Sequence, residues 1–139
     1  MKRKLYLSLT ALVLALTANV AFAQLKCKAD VPFAFSVEQK SMDAGHYSIL
    51  VTDRVIQIRN DATNESVILF SGRLESPKPQ KSRLVFHKYG DRYFLAEAWT
   101  ATGQAGASGV EIPASKAEQE TRASYKDSTK PETVILAMR

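Results

Sequence analysis

The chain has 139 residues, with 19 Lys and Arg against 14 Asp and Glu, and a single cysteine. One cysteine excludes an internal disulfide, and a chain of this size can stand on a hydrophobic core without metal or multiple disulfides. The length suits one domain rather than two.

Lys2, Arg3 and Lys4 open the chain with positive charge, and Leu5 to Ala18 is apolar except for Ser8, Thr10 and Thr17. Ala21-Phe22-Ala23 then supplies small residues at the −3 and −1 positions of a cleavage site. Charge, a short apolar run and A-x-A in that order read as a signal peptide over residues 1–23, cut between Ala23 and Gln24. The run is too short for a bilayer span, which needs ~20 residues. Export is therefore expected, to the periplasm or the cell exterior, with no membrane span left after cleavage. The leader holds three basic residues and no acidic one, so residues 24–139 carry a net charge of +2. That removes the electrostatic reason to expect nucleic acid or an anionic membrane as partner. Cys27 follows Gln24-Leu25-Lys26, a poor lipidation site. It is expected as a free or intermolecularly paired thiol on a mobile N-terminus.

From Val31 onward, short stretches rich in Val, Ile, Phe and Tyr alternate with Gly, Pro, Asn and Asp, the pattern of an antiparallel all-β domain. Val31 to Val37 places Val31, Phe33, Phe35 and Val37 on one face at period two, with Pro32 confining that strand to an edge or a start. A turn is expected from Lys40 to Gly45, then a strand with Tyr47, Ile49 and Val51 on one face. Thr52-Asp53-Arg54 connects it tightly to Val55–Arg59, and Asn60–Asn64 is a polar turn that tolerates positive φ. Val67 to Phe70 is apolar throughout, as a strand covered on both faces would be. Glu75 to Lys81, with two prolines, reads as a loop.

Ser82–Tyr89 and Arg92–Thr100 flank Gly90-Asp91, the glycine-first pair of a type II′ hairpin. In that register Phe86 faces Leu95, His87 faces Phe94, Lys88 faces Tyr93 and Leu84 faces Glu97. Leu84, Phe86, Tyr93, Leu95 and Trp99 would then point into the core. Gly103 to Gly109 reads as a flexible loop, and Ser115-Lys116-Ala117-Glu118 as a capping box opening a helix through about Tyr125. Thr133 to Met138 completes the sheet as a last strand.

Little in this sequence carries chemistry. His46 and His87 are far apart and match no zinc spacing. The Gly103–Gly109 segment lacks both the G-x-S-x-G order of a hydrolase elbow and the Gly-Lys-Ser/Thr ending of a phosphate loop. No paired carboxylates for glycoside hydrolysis can be named. No catalytic, cofactor-binding or metal-ligating residue is therefore assigned. Glu97 stands apart: the hairpin register sets it inward between Leu95 and Trp99, where a carboxylate must be paired, protonated or wetted. Tyr93, Glu97 and Trp99 are the candidate walls of a small pocket for an apolar or sugar-like ligand.

Three blocks carry a resemblance: Val31-Pro32-Phe33-Ala34-Phe35-Ser36-Val37; Ala44-Gly45-His46-Tyr47-Ser48-Ile49; and Leu84 to Leu95, with Trp99 following. They resemble a group of small secreted bacterial β-domain proteins with P-F-x-F-x-V, L-P-A-G-x-Y and L-V-F-H-[RK]-Y-G-x-x-Y-F-L in that order. Met42-Asp43 depart from the usual Leu-Pro. The resemblance implies export and a β fold, and marks His87, Tyr89 and Gly90 as a signature hairpin. The group brings no established activity.

The expectation is an all-β antiparallel sandwich or flattened barrel of seven to eight strands, with one short helix in the C-terminal half, forming a single domain over 24–139. Its expected role is a non-enzymatic interaction or structural module of the envelope or exterior, with an envelope protein or further copies of itself as partner. A small-ligand binding protein is the alternative, and a hydrolase ranks last.

Overall fold

The computed structural model describes residues 26–52, 54–78, 80–102, 106–125 and 130–139. The leader and the Ala23–Gln24 cleavage point lie outside the described residues. Two antiparallel sheets face each other across a shared core. The first has the order β1 (Lys26–Val31), β4 (Gly45–Val51), β5 (Val55–Asn60), β6 (Ser66–Phe70). The second runs β11 (Glu132–Ala137), β8 (Arg83–Tyr89), β9 (Arg92–Ala101), β10 (Ala107–Glu111), β7 (Gly72–Ser76). A small hairpin of β2 (Phe35–Val37) and β3 (Lys40–Met42) joins it through a parallel bridge from Ser36 to Phe94. The sheets meet where Lys28 and Arg139 exchange backbone hydrogen bonds at 2.8 and 2.9 Å, and where β6 runs on through Ser71 into β7. The result is the all-β flattened barrel expected, built among the described residues from eleven strands rather than seven or eight, with one helix, α1 (Lys116–Ser124).

The elements divide more finely than the sequence pattern. Val31–Val37 is not one strand. Pro32 has no N–H to continue a ladder, so β1 ends at Val31 and β2 begins at Phe35 in the other sheet. Phe33, in the crossing, stacks on Tyr93 with ring centroids 3.8 Å apart. The expected Lys40–Gly45 turn begins as β3, because Glu38 at φ +52 already reverses the chain. Cys27 is not on a loose terminus: in β1 it faces Ile49 of β4 and is only 5% exposed, packed as a small apolar side chain. Ala107 to Gly109, read as loop, belongs to β10, while Gly103–Ala105 lie outside the described residues. Glu75 and Ser76, also read as loop, finish β7.

The inner faces follow period two. Cys27, Ala29 and Val31, then Tyr47, Ile49 and Val51, then Ile56 and Ile58 are buried, while Lys26, Lys28 and Asp30 alternate outward. Tyr47 holds its hydroxyl in this apolar setting by donating to the Asp43 carbonyl, and accepts from Asn60 Nδ2 at 3.2 Å. Asn60 Oδ1 accepts from Ala62 and Thr63 N–H, an Asx turn that lets Asn64 take φ +59.

The hairpin turn follows its residues. Gly90 has φ +58 while Asp91 keeps a negative φ, as a type II′ pair requires. A Cβ on Gly90 would meet only Tyr125 at 3.6 Å, an ordinary contact, so substitution is opposed by backbone conformation alone. Gly90→Ala is expected to cost about 1 kcal/mol in chemical denaturation, and Gly90→Asn less. Equal stability of Gly90→Ala and wild type would refute the turn type.

Candidate functional site

The hairpin register changes partway along, and this decides the fate of the candidate pocket. Phe86–Leu95, His87–Phe94, Lys88–Tyr93 and Tyr89–Arg92 pair as the turn dictates, but a bulge then inserts Ala96. Beyond it Val85 faces Glu97, Leu84 faces Ala98 and Arg83 faces Trp99, so the expected Leu84–Glu97 pair does not form. The extra residue turns Glu97 and Trp99 to the outer face of the second sheet, while Ala98 takes the core position opposite Val110.

Tyr93 is therefore parted from Glu97 and Trp99, which meet each other on the outer face. Tyr93 stacks on Phe33 and borders a hollow of about 360 Å³ between the β2–β3 hairpin and the Gly90-Asp91 turn. Trp99 packs with Val85, Ala107 and Leu74 in a second, smaller apolar cluster, and Arg83 sits 5.2 Å from its ring centre. Its Nε1–H donates to Glu97 Oε2 at 2.6 Å, which gives the carboxylate a local partner. Glu97 also lines a cavity of about 130 Å³, shared with His87, Glu111, Glu118 and Arg122, on which Trp99 does not open. That volume is small against the ~300–1,000 Å³ of a ligand pocket.

His87 and Tyr89 meet in a different arrangement. Both point outward from β8 and are covered by α1, where Glu118 is 4% exposed. A carboxylate can only accept, so the His87 Nδ1–H at 2.7 Å and the Tyr89 hydroxyl at 3.1 Å both donate to Glu118 Oε1. Burial, and then the Glu118 charge beside it, raise the Tyr89 phenol above the usual tyrosine value. Ser115 caps α1 by accepting from the Glu118 N–H at 3.1 Å. The reciprocal half of a capping box is absent, because the Glu118 side chain is engaged with the sheet instead. Arg92 Nη1 donates to Thr121 Oγ1 at 2.7 Å, and Tyr125 meets Tyr89 edge-on, so the helix is held along the hairpin's outer face. The arrangement is a helix clamp. His46, the other histidine, lies far along the other sheet, paired with Asp30, which also accepts from Arg139 at 2.9 Å.

No family model, curated protein or solved structure matches this chain. The geometry alone must speak for function.

Among the described residues three large apolar side chains are more than half exposed, Phe70, Ile68 and, on β11, Ile135, and the first two stand where burial was expected. Val67–Phe70 is not covered on both faces: β6 is the edge of the first sheet, Leu69 and half-buried Val67 turn inward, and Ile68 and Phe70 are 58% and 82% exposed. Beside them on the outer face lie Val55 and Gln57 of β5 and Leu50 of β4, then Lys26 and Arg59 around a depression of about 220 Å³ floored by Ser48. Sequence reading missed this face because an all-apolar run does not reveal which of its sides lacks a neighbour. Among the described residues no three His, Cys, Asp or Glu side chains are placed to hold a metal ion, and no helix is long and apolar enough to cross a membrane.

Proposed function

We propose that this chain is a non-enzymatic interaction module of the cell envelope or its exterior, and that it takes its partner along β6. One observation carries the reading. Ser66-Val67-Ile68-Leu69-Phe70 is an edge strand with no charge, proline or bulge of its own, open beyond the Ser66 carbonyl that Lys40 holds, and it presents Ile68 and Phe70 to solvent. Sheet proteins ordinarily blunt such an edge, because its free N–H and C=O groups template another strand. An edge left both bare and apolar is what strand addition uses. The alternative, a small-ligand carrier built on Tyr93, Glu97 and Trp99, is weakened by their separation onto two faces.

The reading is tested by placing a photo-crosslinking residue at Phe70, and separately at Glu120 on the solvent side of α1, in the exported protein. A discrete adduct from position 70 and none from position 120 is expected. No adduct from position 70 would sink the proposal.

A further inference from the structure

We infer that the partner along β6 is a second copy of this chain, paired antiparallel about a two-fold axis at Leu69. This rests on the interaction reading above and adds the identity of the partner.

The phase of the β5–β6 ladder says which groups are open. Asn60 N–H bonds the Glu65 carbonyl at 2.8 Å and Ser71 N–H bonds the Arg54 carbonyl at 2.9 Å. In an antiparallel pair such bonded positions alternate, so Glu65, Val67, Leu69 and Ser71 face β5. The N–H and C=O groups of Ser66, Ile68 and Phe70 then point to the free edge. Lys40 Nζ, 3.0 Å from the Glu65 carboxylate, donates to the Ser66 carbonyl at 3.4 Å. Both backbone groups of Ile68 and of Phe70 remain, and among the described residues no strand pairs with β6 on that side.

A two-fold axis at Leu69 answers all four at once. It sets Ile68 opposite Phe70 of the second copy, and Phe70 opposite its Ile68, as two bonded pairs with four hydrogen bonds. The same register lays each exposed ring against a β-branched side chain on the same face, a favourable cross-strand pair. An axis at Ile68 would instead require the Ser66 carbonyl that Lys40 already holds, and would put Phe70 opposite Ser66. Charge does not oppose the match. Glu65 at one end of the strand is paired with Lys40, and Arg73 beyond the other end is paired with Glu75, so the reversed strands bring neutralised ends together. A five-residue edge buries less than the ~1,600 Å² of a standard interface, so the dimer is weak and concentration-dependent.

Sedimentation velocity of the exported, processed protein over a concentration series tests this. Wild type is expected to pass from monomer to dimer. Phe70→Lys, at an exposed position that leaves the fold intact by circular dichroism, is expected to weaken association about tenfold or more, as loss of an interface aromatic does. Register is read by mixing Ile68→Cys and Phe70→Cys, each in a Cys27→Ala background so that it holds a single cysteine, under oxidation. A covalent dimer should form in the mixture and in neither protein alone. Wild type that stays monomeric at every concentration, association indifferent to Phe70→Lys, or Ile68→Cys crosslinking to itself would each overturn the inference. The photo-crosslink at position 70 separates the two readings: an adduct with a different protein overturns only the second copy, and no adduct overturns both.

Discussion

Phe86→Ala is expected to lower the unfolding free energy by about 3–5 kcal/mol in a denaturant titration. Phe86 is fully buried and meets Phe33 and Phe35 edge-on, with ring centroids at 5.1 and 5.3 Å. Those two rings come from the crossing segment and from β2, while Leu95 and Val134 flank Phe86 in the neighbouring strands. Truncation removes the ring that the crossing segment packs against, and opens a cavity that three separate elements would have to close. Edge-to-face pairing adds ~0.5–1.5 kcal/mol per pair beyond the area term, which puts the loss toward the top of the range. Against a total of ~5–15 kcal/mol, one substitution removes a large part of the stability. A midpoint unchanged by it would refute the inward facing of this half of the hairpin.

That facing was legible in the sequence because the turn is chemically unambiguous. Gly90-Asp91 fixes the register, and the register fixes Phe86, His87, Lys88 and Tyr89 against their partners. Legibility stopped at Ala96. A bulge inserts one residue, and nothing in Leu95-Ala96-Glu97 distinguishes an inserted alanine from a paired one. Since side chains alternate at period two, that single residue moved Glu97 and Trp99 from the core face to the outer face. The same shift parts Glu97 and Trp99 from Tyr93, which stays on the core face. Pro32 is the opposite case. Its effect on the ladder was foreseen as an edge, but it ends one strand and carries the chain to the other sheet, which local sequence cannot decide.

The helix carried a signal that was half right. Ser115 and Glu118 are spaced as a capping box, and the Ser115 half forms. The Glu118 half was lost to competition. A hydrogen bond back to the Ser115 N–H would leave the Tyr89 hydroxyl without an acceptor beneath the helix, whereas one carboxylate oxygen answers both His87 and Tyr89. The exposed face of β6 was invisible for a different reason. Val67-Ile68-Leu69-Phe70 has the composition of a buried strand, and only the sheet order makes it an edge.

Glu118→Ala is expected to cost about 2–3 kcal/mol, measured by the same titration, because it leaves the buried Tyr89 O–H without its acceptor and loosens the helix from the hairpin. His87 keeps partial access to water, so the loss falls short of the ~3–5 kcal/mol seen when a fully buried ion pair is broken. Glu118→Gln should lose only about 1 kcal/mol, since its amide oxygen still accepts from one donor. A purely space-filling role would make both variants alike. Alkaline titration gives a second, independent reading. Tyr89 ionises above its ordinary value in the folded protein, chiefly through burial and then through the Glu118 charge. The stability tied to its neutral phenol is complete below the ordinary tyrosine value of about 10, and is lost as pH rises from there through the higher folded-state value. Removing the carboxylate removes the like-charge repulsion but leaves the burial. In Glu118→Ala the phenolate absorbance of Tyr89 should therefore appear at lower pH than in wild type, and the alkaline loss of stability, which begins at the same ordinary tyrosine value, should be smaller. Phenolate appearing at the same pH in both proteins would mean that Glu118 and Tyr89 do not share the contact that clamps the helix to the sheet.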